Sequence, residues 1–124
     1  MSGSVSYRVS VDHSNGNRKQ PFKPTQKTFT QSANRGVDTV QAIGTTEELV
    51  ALGDIAGVPE LICFENLDDT NYLEIGILVS AVFKPVLQVD PGRVAGPLKP
   101  SSSFVLYAKA HTAPCDLRVC AYSA

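Results

Sequence analysis

The sequence predicts an all-β fold: an antiparallel β-sandwich, with a jelly roll as the candidate topology, preceded by an extended N-terminal β arm. Three observations carry this. Ser4 to Val11 alternates strictly between apolar and polar residues, the period of a half-buried strand. About eight short β-prone segments follow one another at a spacing of roughly ten residues. Each is bounded by Gly, Pro, Asn or Asp in turn-forming combinations. A chain of 124 residues with 43% apolar content has room for one packed core, so the expected division is an arm over residues 1–35 and a sandwich over 36–124.

Val5, Tyr7, Val9 and Val11 share one face of the first strand, and Asn15-Gly16-Asn17 reads as the turn that ends it. Pro21 and Pro24 interrupt pairing until a polar strand near Thr25–Gln31, which has only Phe29 to bury and belongs at an edge or against a neighbouring chain. Val37–Ile43 resumes as a strand. Thr45-Thr46-Glu47-Glu48 has the spacing of a helix capping box, and Gly53 could close a helix, so Thr45–Leu52 stays open between helix and strand. Strands follow near Glu60–Glu65, Asn71–Leu78, Ala81–Val89, Ser103–Ala110 and Asp116–Tyr122. Turns are expected at Gly57-Val58-Pro59, Leu67–Thr70, Asp90-Pro91-Gly92, Gly96-Pro97 and Ala113-Pro114.

A net charge of −1 conceals an asymmetry. Residues 1–35 hold six cations (Arg8, Arg18, Lys19, Lys23, Lys27, Arg35) against Asp12, a net of +5, whereas residues 36–124 hold five cations against eleven acids, a net of −6. A basic arm of this kind is attracted to its own body, to a neighbouring copy or to another acidic partner. Nucleic acid is the weaker choice of partner, because only Arg18 and Lys19 are adjacent and stacking aromatics are not interleaved. With no apolar run of about 18 residues and no apolar leader, a membrane span or secretory signal is not expected, and synthesis in the cytoplasm is.

Cys63, Cys115 and Cys120 are an odd number without a C-x-x-C pair, which argues against a disulfide framework. Cys115 and Cys120 on one strand would lie roughly 16 Å apart on opposite faces, at about 3.3 Å per residue. His13 and His111 lack neighbours at metal-ligand spacing, so no metal or other cofactor is expected. No Gly-x-Ser-x-Gly or His-Glu-x-x-His occurs, and the chain is read as not an enzyme. Asp68-Asp69-Thr70-Asn71 has oxygen ligands suited to Ca²⁺, but such residues are more often a β-turn. Glu47, Glu48 and Asp54 read as surface acids rather than an acid–base pair.

The runs Ile43–Glu48, Gly53-Asp54-Ile55, Glu65–Gly76 and Leu106–Ala110 resemble small virion proteins of tailed bacteriophages. The likeness covers roughly residues 40–122, and its most specific piece is Asn66-Leu67-Asp68-Asp69-Thr70-Asn71-Tyr72 leading to Gly76. The resemblance implies a β-sandwich part of the particle, located in the virion. A capsid decoration or cement protein is the leading reading, with a tail, neck or fibre-base component as the alternative. It carries over no functional residues, since the matched positions are structural.

The expected function is therefore binding of protein surfaces by a homo-oligomer, a trimer being favoured, with the major capsid protein or another virion protein as partner. The candidate interface is the arm: Val5, Tyr7, Arg8, Val9, Val11, Arg18, Lys19, Phe22, Lys23, Lys27 and Phe29. A carbohydrate- or receptor-binding module is the competing class, and would need Tyr72 or Tyr107 exposed beside acids.

Overall fold

The computed structural model describes residues 3–101 and 105–124. Among them there are twelve strands and no helix: β1 (Gly3–Tyr7), β2 (Ser14–Asn15), β3 (Arg18–Lys19), β4 (Lys27–Gln31), β5 (Gly36–Ile43), β6 (Glu48–Leu49), β7 (Leu61–Asn66), β8 (Leu73–Val79), β9 (Val82–Val89), β10 (Val94–Leu98), β11 (Tyr107–Ala110) and β12 (Cys115–Tyr122). All pairings are antiparallel. The chain forms two compact units, one ending at Asn34 and including Ala124, the other running Arg35–Ser123.

The second unit is a sandwich of two four-stranded sheets, ordered β10-β7-β12-β5 and β6-β11-β8-β9. Alternation explains which residues meet between them. In β12 the odd positions Cys115, Leu117, Val119 and Ala121 are buried while Asp116 and Arg118 face solvent. Ile62 and Phe64 of β7 do the same from the neighbouring strand, and Leu73, Ile75, Val89, Ala108 and Ala110 close the core from the opposite sheet. Each large side chain removed from water here, Phe64 among them, contributes about 1.5–3 kcal/mol.

Among the described residues, one polar side chain lies within this core. Asn66 is fully buried at the end of β7. Its Nδ2 donates to the carbonyls of Asn71 (3.0 Å) and Val89 (2.9 Å), and its Oδ1 accepts from the Asp68 amide at 3.0 Å. Asp68 in turn accepts from the amides of Thr70 and Asn71 through Oδ2. The Asp68–Asn71 cluster is thus a turn closed by Asp68 on its own backbone, with Asp69 Oδ1 accepting from Thr70 Oγ1 and Asn71 Oδ1 from Thr112 Oγ1; the backbone donors, Asn71 first, hold the Asp68 carboxyl below its ordinary range.

One open alternative is decided and several expectations are corrected. Thr45–Leu52, left between helix and strand, is not helical. Glu48 accepts from the Gly44 amide at 3.0 Å, and Glu48-Leu49 pairs with Ala108 and Tyr107 as the short strand β6. The Gln41 side chain fixes this segment by donating to Leu49 O and accepting from Ala51 N, both at 2.9 Å; burial of Val50 then outweighs the local helix signal. Gly96-Pro97 is not a turn between strands but an irregularity inside β10, where Gly96 takes φ +107° and its peptide bond to Pro97 is cis. The first strand stops at Tyr7, and Val11 makes only an isolated bridge. The strand expected over Ser103–Ala110 is present from Tyr107; residues 102–104 lie outside the described part.

Candidate assembly interface

The first unit is a two-stranded ribbon that folds back on itself. β1 pairs with β4 from Gly3↔Gln31 to Tyr7↔Lys27. Val11 and Phe22 exchange backbone hydrogen bonds of 2.8 and 2.7 Å, and Ser14–Asn15 pairs with Arg18–Lys19 at the tip. Gly16 is the first central residue of this tip turn with φ +59°, the backbone shape a two-residue hairpin of this kind requires and glycine supplies without a clash. Between Tyr7↔Lys27 and Val11↔Phe22 the register slips by one residue. The surplus residue falls on the side holding Pro24, where the missing N–H makes regular pairing hardest. The polar strand β4 therefore pairs within its own chain rather than requiring a neighbour.

All the arm residues singled out in the sequence lie on this ribbon, in three zones. At its base Val5 stands opposite Phe29 and Tyr7 opposite Lys27, with Val5, Tyr7, Val9 and Phe29 half-buried. The Val5–Phe29 pair contributes of the order of 0.2–1 kcal/mol across the strands. The other face is polar: Ser6 Oγ bonds Thr28 Oγ1 at 3.0 Å, and Arg8 Nε donates to Gln26 Oε1 at 3.0 Å. In the middle zone Val11 and Phe22 are 54% and 59% exposed. Beside them Lys23 pairs with Asp12 at 2.9 Å, an exposed bridge of small worth. At the tip Arg18 donates to Gln20 Oε1 at 3.2 Å and Lys19 is exposed. The arrangement is a basic ribbon with an exposed apolar middle.

The other candidate residues occupy different places. Glu48 is committed to Gln41 and Gly44, and Asp54 accepts from the Gly36 amide at 3.1 Å. Tyr72 stacks on His111, with ring centroids 4.3 Å apart and Oη 2.9 Å from Nδ1, while Tyr107 is half-buried in β11. Among the described residues no group of three or more His, Cys, Asp or Glu side chains is placed to hold a metal ion.

Three features were not anticipated: the buried Asn66 network, the Gln41 bridge, and the placement of Cys63 directly opposite Cys120. Only the last had a signal, since both cysteines sit in β-patterned segments, but strand partners are not encoded in the spacing of single residues. Comparison with family models, with curated proteins and with solved structures finds no match to this chain.

Proposed function

We propose that this protein is a non-enzymatic structural component of a virus particle, a capsid decoration or cement protein that binds the capsid lattice as a homo-oligomer through its N-terminal ribbon. The observation that carries the reading is the ribbon itself. Residues 10–28 are exposed throughout, and they present the Val11–Phe22 pair beside Arg18 and Lys19. A two-stranded ribbon buries little of its own surface and is marginal in isolation, so a second surface that covers this pair stabilises both partners.

Charge supports the choice of surface. With Arg35 in the sandwich unit, the ribbon unit carries +4 and the sandwich −5. Opposite fields speed docking and set register more than they set affinity. The strand order adds support for the particle context. Eight strands split as β5-β12-β7-β10 and β6-β11-β8-β9 follow the order we read as a jelly roll, an architecture used by viral capsid proteins as well as lectins and cupins. Since fold alone does not carry function, the virion assignment leans on the turn-and-strand resemblance over residues 65–76.

The test is a full-length Val11→Asp/Phe22→Asp variant compared with the native chain by sedimentation velocity and by co-sedimentation with purified virions. The expected result is loss of the oligomer and at least tenfold weaker particle binding, with the β-sheet circular dichroism retained. A folded double variant that assembles and binds as the native chain does would sink the reading.

A further inference from the structure

Cys63 of β7 and Cys120 of β12 are directly paired across neighbouring antiparallel strands. Residues opposed in this way project to the same face of the sheet with Cα atoms about 4.5–5.5 Å apart, inside the roughly 4.4–6.8 Å window of a disulfide. The face is the outer one. Both thiols are free and half-buried, unlike Cys115, which is buried on the inner face of the same strand with its Sγ directed at Asn71 O at 3.5 Å.

Access is provided by two features. The β10 residue beside Cys63 is Gly96; a Cβ there would stand 3.5 Å from Cys63 Sγ, and its absence leaves that sulfur uncovered. A shallow groove of about 200 Å³ runs over the pair, lined also by Glu65, Val94 and Arg118. The Cys120 thiol donates to Tyr122 Oη at 3.7 Å, which holds it at the surface. Burial raises the Cys63 thiol above its ordinary range and the nearby Cys120 raises it further, so each sulfur lies within the other's field.

We propose that Cys63 and Cys120 form a dithiol modification site, oxidised by low-molecular-weight disulfides to an intrachain Cys63–Cys120 disulfide. One thiol, as thiolate, attacks the small disulfide and releases one small thiol; the second displaces the other. The two cysteine protons end on two small thiols, the small disulfide takes up two electrons, and one S–S bond is exchanged for another. Cβ atoms at sheet spacing are wider than the roughly 3.8 Å a relaxed disulfide adopts. The bond therefore draws the strands together and is readily reduced again.

The experiment treats the folded full-length protein with oxidised glutathione, unfolds it in guanidinium at low pH, blocks remaining thiols with iodoacetamide after neutralisation and maps peptides by mass spectrometry without reduction. The expected product is a single covalent chain that, apart from the label on Cys115 alone, is lighter by two hydrogen atoms, with a Cys63–Cys120 linked peptide that dithiothreitol removes. Cys115→Ser should leave the product unchanged. Phenylarsine oxide, which bridges paired thiols with loss of water, should protect both cysteines in native protein as a one-to-one adduct. Stable mixed disulfides on each cysteine, links between chains, or both thiols still alkylated with no arsenical protection would overturn the proposal.

Discussion

The Asn66 side-chain amide donates to the carbonyl of Val89 at 2.9 Å across the interior, tying the end of β7 to the end of β9. The backbone of Asn66 completes the junction, its amide bonding Arg93 O at 2.9 Å and its carbonyl accepting from Gly92 N at 3.0 Å. Replacement by leucine strands the buried Val89 carbonyl away from water, at about 1–3 kcal/mol, while the part-buried Asn71 carbonyl and Asp68 amide regain some solvent and cost less. Urea unfolding of Asn66→Leu should show a loss of about 2–4 kcal/mol. Asn66→Asp should lose more at neutral pH, because a buried carboxylate would face two carbonyls, and should regain part of the loss in acid.

Gly76 is fixed by close approach rather than by backbone angle. The β8–β9 register shifts between Ile75↔Leu87 and Gly76↔Pro85, leaving Val86 unpaired, and a Cβ at Gly76 would lie 2.1 Å from Lys84 O. Since that obstacle is backbone, Gly76→Ala must push β9 away and cost about 3 kcal/mol or more. A melting temperature within a degree or two of the native value would contradict this.

The β8–β9 hairpin turns through Ser80 and Ala81, both at positive φ (51° and 64°). This geometry matches the right-handed strand twist but favours Asn-Gly, since left-handed backbone costs other residues roughly 1–2 kcal/mol each. The double change Ser80→Asn/Ala81→Gly should therefore stabilise by about 1–2 kcal/mol. Calorimetry should record a higher melting temperature with no change in the circular dichroism spectrum.

Arg118 grips Asp38 through two hydrogen bonds of 3.0 and 2.9 Å, holding the carboxyl below its ordinary value of 3.8, and Asp68 is lowered by backbone amides. A carboxyl depressed in the folded state contributes stability that is fully present above its unfolded pKa and lost as pH falls through the folded one. Stability should decline below about pH 4 as these two groups take up protons. Asp38→Asn should make that decline shallower in denaturant titrations at stepped pH; an identical acid limb would exclude the Arg118 pair as a contributor.

The strands were legible where side-chain period and burial coincide. Leu117, Val119 and Ala121 alternate with Arg118 and Cys120 in the sequence and across the sheet alike. Legibility failed where a distant partner decides. Glu48-Leu49 is a strand because Tyr107 and Ala108 lie beside it, and Gly96-Pro97 is tolerated in β10 because that strand lies at a sheet edge. The charge of the ribbon and the alternation of β1 were legible, whereas the Val11–Phe22 bridge and the closure of the ribbon on itself depended on the turn at Gly16 and on a one-residue slip that no local pattern announces.

Strand β5 has no sheet partner until β12 exists: Asp38 and Arg118, which meet across that pairing, are 80 residues apart in the chain. Closing so long a loop makes folding slow, typically milliseconds to seconds for such topologies. A ribbon whose strands are joined by a two-residue turn forms in about 1–10 μs. On the ribosome both strands of the ribbon emerge while β12 is still untranslated, so the hairpin samples its closed form before β5 has a partner. The two units thus differ in when their pairing can begin: the ribbon's contacts are local in the chain, whereas the contact that closes the sandwich on β5 waits for its last strand.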